Sequence, residues 1–272
     1  MNRKVRTIRE SPIVGGMNSQ HRVRHVLEPG NWQEYDPFLM LAEDWFVPGT
    51  FGDHPHRGFE TVTFILDGQV IHSDNHGGHG ELHPGDAQWM TAGRGVVHSE
   101  EAGPDGAHSL QLWLNLPRAL KMSEPRYRDL RGAAMPVREG NGATLRVFSD
   151  ASTQNAPSVS PSPVTMVELR LDAGASATQE LPSYDNAFVY VISGSGRFGA
   201  DEKPARAGSA VWFERGSDAT PSFVRVIADE PLHAILWSGK PIGEPVAARG
   251  PFVMTSNEEL YQAFVDFQSG RF

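Results

Sequence analysis

Short runs of β-branched and aromatic residues recur along the chain and predict strands. Residues 60–66 form one such run, which stops at Asp67-Gly68 and resumes over 69–72, a pattern typical of a hairpin with a tight turn. The other runs of this kind are residues 109–114, 164–169, 188–192 and 233–237. Many short strands at regular spacing favour an all-β fold of sandwiches or barrels.

Near the end of the chain the apolar spacing changes from the strand period to the helical one. Ser256 and Glu259 have the spacing of a capping box, and the apolar residues that follow at helical intervals are Leu260, Phe264 and Phe267. A glycine at position 270 is placed to end the helix. We predict one short C-terminal helix that packs against a barrel.

Three short motifs occur twice in the same order, which indicates an internal repeat. They are ILDG at 65–68 and VISG at 191–194, GDAQW at 85–89 and GSAVW at 208–212, and LW at 112–113 and 236–237. The offsets between the copies are similar, so we predict two tandem β-barrels, in domains 1–132 and 133–272. The tail from about 246 to 272 is expected to pack back on a barrel, and a Ser- and Pro-rich stretch at 151–163 predicts a surface loop.

Composition narrows the chemistry. The chain has 272 residues, no cysteine and a formal net charge of −9. Without cysteine, disulfides, thiolate zinc sites and iron–sulfur clusters are excluded, and any metal must be held by histidine and carboxylate. An acidic protein gains nothing from counterion release, so direct nucleic-acid binding is not expected. We see neither a signal segment nor a run of roughly 20 apolar residues, and we therefore expect a cytoplasmic protein without a membrane partner.

Two pairs of polar residues have the spacing that places side chains on one face of a strand. His54 and His56 precede the strand predicted at 60–66, and His98 and Glu100 form a second pair farther along the chain. Two neighbouring strands can therefore deliver four N and O ligands into one barrel interior. Three imidazoles and a carboxylate suit a borderline first-row ion and leave positions open for water or substrate.

Glu60 is an alternative fourth ligand. It lies four residues after His56, on the same face if the chain is extended, and Gly58 leaves room beside it. It could replace Glu100, or orient an imidazole from outside the ligand set. We prefer Glu100, because it shares a predicted strand with His98.

Other polar residues near these pairs have simpler interpretations. Four histidines in the segment 72–83 resemble a second metal cluster, but the glycines between them predict a solvated hairpin tip. Arg57 and Arg94 flank the ligand pairs. A contact between Arg57 and an anionic substrate is one prediction from this position, and a surface or structural role is the other.

The same residues carry a resemblance to a known family. DHPHRGFETV at 53–62 and PGDAQWMTAGRG at 84–95, followed by HSE at 98–100, resemble the signatures of pirin proteins, which are bicupins of the cupin superfamily. PFLML at 37–41 and GPFVM at 250–254 match as well, so the resemblance spans nearly the whole chain. It implies an all-β protein of two tandem cupin-type barrels.

The resemblance also implies a ligand set and a metal. It assigns one mononuclear metal to the two polar pairs: His54, His56, His98 and Glu100. The implied metal is iron, Fe²⁺, although Mn, Ni, Cu or Zn could occupy such a site. Domain 1–132 is then the metal-binding cupin and domain 133–272 a degenerate one, because the repeat places no histidine at the equivalent positions.

Two functional hypotheses follow from the resemblance. The family includes members with quercetin 2,3-dioxygenase activity and members described as regulators acting through protein partners. The first hypothesis is an oxygenase that binds O₂ and a small flavonol-like substrate, with Glu100 as general base for the substrate hydroxyl. The second is a metal- or redox-dependent regulatory protein with a protein partner. A structural zinc site is disfavoured, because such sites usually use cysteine.

Overall fold

The computed structural model describes residues 1–151, 160–216 and 220–272. Strands dominate this part of the chain, as the sequence predicts, and helices are short. Most of the loop predicted at 151–163 lies outside the described residues. Among the described residues, no helix is both long enough and apolar enough to cross a membrane.

The secondary structure consists of twenty-two strands and two α-helices in the described ranges. The strands are β1 (Val5–Glu10), β2 (Ile13–Gly15), β3 (Arg22–Leu27), β4 (Phe38–Phe46), β5 (Phe51–His56), β6 (Phe59–Asp74), β7 (His79–Leu82), β8 (Ala87–Thr91), β9 (Val96–Asn115), β10 (Arg126–Leu130), β11 (Val137–Gly140), β12 (Ala143–Ser149), β13 (Val164–Leu171), β14 (Ser176–Leu181), β15 (Asn186–Ser193), β16 (Ser195–Phe198), β17 (Lys203–Arg206), β18 (Ser209–Phe213), β19 (Ser222–Ala228), β20 (Leu232–Gly239), β21 (Ala247–Arg249) and β22 (Phe252–Met254). The helices are α1 (Trp32–Tyr35) and α2 (Asn257–Gln268). Short 3₁₀ turns lie at Arg118–Leu120 and Gly132–Ala134.

The described chain divides into two compact units, each built from two segments. Unit 1 contains Met1–Ser11 and Ala134–Pro241, and unit 2 contains Pro12–Ala133 and Ile242–Phe272. The sequence predicts the contiguous domains 1–132 and 133–272, whereas each unit also includes a segment from the opposite end of the chain. The reason is that β1 pairs with β18 in unit 1, whereas α2 packs on β22 in unit 2. The predicted domain ranges therefore stay a prediction.

Unit 2 is built on a nine-stranded antiparallel sheet. Its order is β10-β8-β6-β9-β4-β3-β2, with β5 also pairing with β9 and β7 with β6. The long strand β6 runs through Asp67-Gly68 without reversing, so the hairpin turn predicted there is wrong. Gly68 instead has a φ of +74° beside an irregularity in the β6–β9 register. A side chain would not fit, because an added Cβ would lie 2.2 Å from the carbonyl oxygen of Gly106.

Unit 1 contains a seven-stranded and a four-stranded sheet. Their orders are β1-β18-β15-β20-β13-β12-β11 and β14-β19-β16-β17. Alternate residues of these strands point to one face and form an apolar core, whose members include Val167, Val189, Val211, Val224 and Leu236. The interior of unit 1 is therefore filled with hydrocarbon side chains.

The repeat seen in the sequence corresponds to matching turns in the two units. The amide of Gly85 donates to the carbonyl of Ile65 at 2.9 Å, and the amide of Gly208 donates to the carbonyl of Val191 at 2.8 Å. The two glycines have almost the same positive φ, 87° and 88°. Such equal turns at equivalent motifs confirm two copies of one β-fold.

Helix α2 begins and ends as predicted. The hydroxyl of Ser256 accepts a hydrogen bond from the amide of Glu259 at 3.3 Å, and Gly270, just beyond the helix, has a φ of +67°. Leu260 of the helix packs in one apolar cluster with Phe252 of β22. The segment that contains β21, β22 and α2 thus has its own small core within unit 2.

Candidate metal centre

Strands β5 and β9 bring three histidines together in unit 2. The register sets His54 of β5 opposite His98 of β9, and His56 lies two residues farther on the same face of β5. One ring nitrogen from each histidine lies within 4.8 Å of the other two. The ring centroids are 4.3 Å apart for His54 and His98, and 5.0 Å apart for His56 and His98. The three histidines that the sequence predicts as a group thus lie together.

Two of the imidazoles are held from outside through their Nδ1 atoms. The carbonyl oxygen of Gly52 lies 2.8 Å from Nδ1 of His54, and that of Pro251 lies 3.4 Å from Nδ1 of His56. A carbonyl oxygen accepts hydrogen bonds only, so Nδ1 carries the proton in both rings. Nε2 of each ring therefore keeps the lone pair that a metal would use.

His98 differs from the other two because its outer partner is a side chain. Nδ1 of His98 lies 3.4 Å from Nδ1 of His72, which is fully buried. The prediction of a solvated hairpin tip at 72–83 is therefore wrong for His72, although the other three histidines of that segment are exposed. The two-residue period of a strand could have predicted this burial, because it places His72 on the same face as buried Val70.

Burial and neighbouring charges lower the pKa of His56 and of His98, and both rings are therefore neutral at ordinary pH. Burial, followed by the neighbouring His54, lowers the pKa of His56 to about 3, although the hydrogen bond with Pro251 opposes the shift. Burial is also the main reason that the pKa of His98 lies far below its usual range, and the charges of nearby histidines add to it. Neutral imidazole is the form that binds a metal.

Two nitrogens of the cluster have no protein partner among the described residues. Nε2 of His56 and Nε2 of His98 are buried and accept no hydrogen bond from the described residues. Buried polar atoms are rarely left unpaired in proteins, so each one needs an explanation. Imidazole nitrogens that converge without partners fit a borderline divalent metal ion, and the residues present are therefore able to bind one.

Glu100 lines the cavity beside the histidines, but both of its carboxylate oxygens already accept hydrogen bonds. Thr63 Oγ1 donates to Oε1 at 2.9 Å, and Gln111 Nε2 donates to Oε2 at 2.6 Å. The close group of potential ligand atoms contains the three histidines and not Glu100. The role of Glu100 as fourth ligand stays a prediction.

Glu60 is not a member of the group of converging ligand atoms. Its carboxylate is fully buried and accepts a hydrogen bond from Thr91 Oγ1 at 2.6 Å. The four-residue spacing from His56 would place both on one face only in a continuous strand, whereas β5 ends at His56. The chain then passes through Gly58 with a φ of +88°, which redirects it before β6 begins. Glu60 and His56 therefore do not share the face of one strand, and the alternative ligand role of Glu60 stays a prediction.

Arg57 does not line the cavity either. Its guanidinium is buried, donates to Asp266 Oδ2 at 2.8 Å and to the carbonyl of Arg94 at 2.5 Å, and lies 4.2 Å from the ring centroid of Phe272. These contacts attach α2 to the strand that carries His56. The predicted contact between Arg57 and an anionic substrate has no counterpart in the described cavity wall.

A cavity of about 720 Å³ lies beside the histidines. Its walls come mainly from β3, β4 and β9 and are largely apolar; they include Val23, Met40, Ala42, Phe46 and Trp113. Part of its border is formed by the hairpin of β2 and β3. Both the size and the apolar lining are typical of sites for small organic ligands.

The repeated barrel, with converging histidines in one copy, defines a bicupin with a metal-binding capacity. The family model described as Pirin matches residues 19–114, and the model described as Pirin C-terminal cupin domain matches residues 166–272. A pirin-like protein of Caulobacter vibrioides is 42% identical over 265 residues, covering 92% of this chain and 92% of that protein. The chain belongs to the pirin family, as the motifs of the sequence indicate.

Two solved structures are similar over nearly the whole chain. A Geobacillus kaustophilus protein has a TM-score of 0.87 and 49% identity, covering 90% of this chain and 99% of that one. Quercetin 2,3-dioxygenase from Acinetobacter baumannii also has a TM-score of 0.87, with 29% identity, covering 99% of this chain and 98% of that one. These similarities confirm the predicted fold of two cupin barrels.

Proposed function

We propose that this protein is a metal-dependent dioxygenase that acts on flavonol-like substrates at the histidine cluster of unit 2. The observation that carries the proposal is a group of three converging imidazoles beside an apolar cavity, two of which, His56 and His98, have a buried nitrogen without a protein partner. The similarity to the Acinetobacter baumannii quercetin 2,3-dioxygenase supports this choice of reaction and substrate class.

The metal we propose is Fe²⁺, held by His54, His56 and His98, with Glu100 as the predicted fourth ligand. The same donors accept Mn, Ni, Cu or Zn, because imidazole and carboxylate do not discriminate strongly among borderline first-row ions. When bound, iron supplies Lewis acidity and one-electron exchange with O₂.

In this proposal Glu100 takes the proton of a substrate hydroxyl. Thr63 and Gln111 hold its carboxylate in one orientation on the cavity wall. A carboxylate fixed within hydrogen-bond reach of a hydroxyl is an effective general base. The apolar side chains around it would cover the rings of the substrate and exclude bulk water.

The experiment is anaerobic reconstitution with Fe²⁺, followed by measurement of oxygen uptake with quercetin. We expect uptake by the parent protein and none by His56→Ala, which removes one buried nitrogen of the cluster. His83→Ala is the matched control, because this histidine is exposed and outside the cluster. An iron-loaded parent that consumes no oxygen with any flavonol tested would refute the proposal.

That negative outcome would leave the regulatory hypothesis in place. A regulatory protein of this family would retain one iron per chain and would bind a protein partner in a metal-dependent way without turnover. Iron content measured on the same samples therefore separates loss of the metal from loss of the reaction.

A further inference from the structure

Two buried side chains lie behind His98 and are not used by the proposed reaction. Nδ1 of His72 lies 3.4 Å from Nδ1 of His98, and Nε2 of His72 lies 3.4 Å from Oδ2 of Asp74. The side chain of His72 is fully buried and that of Asp74 is 3% exposed. Water therefore has little access to replace either contact. The three side chains form a chain of polar contacts that ends at the histidine cluster.

The strand register explains why these residues meet. His72 and Asp74 alternate on β6, so they point to one face of the strand. Strand β6 pairs with β9, and the register sets Asp74 opposite His98 and His72 opposite Glu100. The same inward faces thus carry both the cluster and the two residues behind it.

Asp74 is fixed in its orientation by the backbone of the following turn. Its Oδ1 accepts hydrogen bonds from the amides of His76 and Gly78, both at 2.8 Å. Its other oxygen, Oδ2, faces His72. A carboxylate accepts only, so the proton of His72 lies on Nε2 and the lone pair of His72 lies on Nδ1.

That lone pair determines the proton position in His98. Nδ1 of His72 accepts, so Nδ1 of His98 must donate to it. Nε2 of His98 is then left with its lone pair, and this is the atom without a protein partner. The tautomer of His98 that a metal requires is therefore the one that Asp74 and His72 favour.

The ring of His72 is held in place by an aromatic neighbour. Tyr127 stacks on it with a centroid distance of 4.6 Å and an interplanar angle of 25°. The hydroxyl of Tyr127 donates to Asp129 Oδ1 at 2.5 Å and accepts from Gln88 Nε2 at 3.2 Å. With both the ring plane and the hydroxyl fixed, His72 cannot easily flip about its Cβ–Cγ bond, a flip that would put ring carbons where Nδ1 and Nε2 make their contacts.

We propose that His72 and Asp74 are positioning residues of the metal centre, which set the tautomer and orientation of His98. His54 and His56 have backbone carbonyls as outer partners, so His98 is the member of the cluster whose orientation depends on side chains. The inference rests on the metal site of the proposed function, but not on dioxygenase activity.

The test is Asp74→Asn. The amides of His76 and Gly78 require an oxygen on their side, so the new NH₂ group must face Nε2 of His72. His72 then carries its proton on Nδ1, and His98 is driven to place its own proton on Nε2, towards the cluster. We expect a loss of about 10- to 100-fold in metal affinity, the usual effect of removing such an outer partner.

Two measurements read this change without turnover. Calorimetric titration with Ni²⁺ alone gives the affinity, and ¹⁵N NMR of the imidazoles in the metal-free protein gives the protonated nitrogen of His98. We expect the proton to move from Nδ1 in the parent to Nε2 in Asp74→Asn. A merely structural role for Asp74 would not produce this exchange of nitrogens. Neither measurement requires oxygen uptake, so both expected results would still hold if the protein were not a dioxygenase.

A second variant guards against a folding defect in the first. His72→Phe keeps a flat ring for stacking on Tyr127 but offers no acceptor to His98, so its Ni²⁺ affinity should fall as well. The control is His79→Gln, an exposed histidine of the same segment, which should bind Ni²⁺ like the parent. Parent-like Ni²⁺ affinity in both test variants, with His98 still protonated on Nδ1, would overturn the proposal.

Discussion

A substitution of Glu100, on the cavity wall, can distinguish a role in metal binding from a role in proton transfer. Glu100→Gln can contact the same two partners as the parent, because its amide oxygen accepts from Gln111 and its NH₂ group donates to the hydroxyl of Thr63, which reverses the direction of that bond. The variant therefore removes the proposed base and leaves the fold intact. We expect oxygen uptake with quercetin to fall by about 100-fold or more, the typical contribution of a general base.

The measurement is the initial rate of uptake by Fe²⁺-loaded protein, together with its iron content. Glu101→Gln is the matched control, because Glu101 neighbours Glu100 in sequence and its carboxylate accepts from the exposed amide of Gly49. An unchanged rate in Glu100→Gln would exclude Glu100 as the base. A lost rate together with lost iron would assign it to the ligand set instead.

In unit 1, Asp185 is a buried carboxyl with an altered pKa. Burial raises the pKa of Asp185 to about 6, although the hydroxyl of Ser238, at 3.0 Å, and the charge of Arg3 oppose the shift. Because this pKa is higher in the folded than in the unfolded state, the folded protein takes up a proton as the pH falls through 6. This group therefore adds stability as the pH falls from about 7 to 4.

Asp185→Asn removes this pH dependence and keeps an acceptor for Ser238. We expect the variant to be more stable than the parent at pH 7 by about 1 kcal/mol, and the difference to disappear by pH 5. Urea-unfolding midpoints at the two pH values provide the measurement. Asp105→Asn, at an exposed position, should change neither value. If the variant were less stable than the parent at pH 7, the attraction between Asp185 and the charge of Arg3 would outweigh the cost of burying the carboxylate.

The sequence predicted the core of the site and missed what stands behind it. Alternate spacing was sufficient for His54, His56 and His98, because β5 and β9 are regular where these residues lie. The same rule does not apply to Glu60, because it assumes a continuous strand and β5 ends at His56. It was not applied to His72, because nearby glycines suggested a loop. The pairing of strands depends on residues far apart in the sequence, so local spacing cannot predict it.

At the scale of elements, the hairpin of β2 and β3 is tied to the cavity border by His21. The amide of Met17 donates to Nδ1 of His21 at 2.8 Å, and Nε2 of His21 lies 2.8 Å from Asp44 Oδ1. Gly16 leaves the space for this ring, because an added Cβ would lie 2.1 Å from Nδ1 of His21. An added methyl group would meet no atom within 4 Å at Gly15.

We therefore expect Gly16→Ala to displace the hairpin and Gly15→Ala to leave it in place. Both glycines line the cavity, so the pair compares displacement with simple filling of the same region. The KM for quercetin should rise several-fold in Gly16→Ala only, and Ni²⁺ affinity should be unchanged in both variants, because the cluster lies on other strands. Equal KM values for the two variants would contradict a role of this hairpin in substrate binding.

Element types were predictable wherever the local pattern and the tertiary pairing agree. The run at 164–169 lies within β13, and the capping box at Ser256 begins α2. Both elements were predictable because their signals lie in residues that are neighbours in the sequence. Asp67-Gly68 has the composition of a tight turn but lies inside β6. Pairing of β6 with β9 along most of its length is more favourable than one local turn, and the glycine is needed there for close backbone approach.

At the scale of the whole molecule, one β-fold occurs twice with different interiors. Unit 1 has an apolar core, whereas the inward faces of β5, β6 and β9 in unit 2 carry the histidines and their partners. The segment Ile242–Phe272 contributes to unit 2 directly. The carbonyl of Pro251 lies 3.4 Å from Nδ1 of His56, and Lys121 Nζ donates to the carbonyl of Val253 at 3.0 Å. Metal binding should therefore also stabilise this segment against local unfolding.

We predict that Ni²⁺ slows amide hydrogen exchange in unit 2 and not in unit 1. A ligand stabilises the part of a protein that must unfold to release it, by about 2.7 kcal/mol at a concentration of 100 Kd. Peptides from β5, β9 and β22 should therefore exchange up to about 100-fold more slowly, and peptides from β13 and β20 should not change. His56→Ala should abolish the effect. Equal slowing in both units would show that they unfold together, and unchanged exchange in β22 would show that the contact at Pro251 does not couple this segment to the metal.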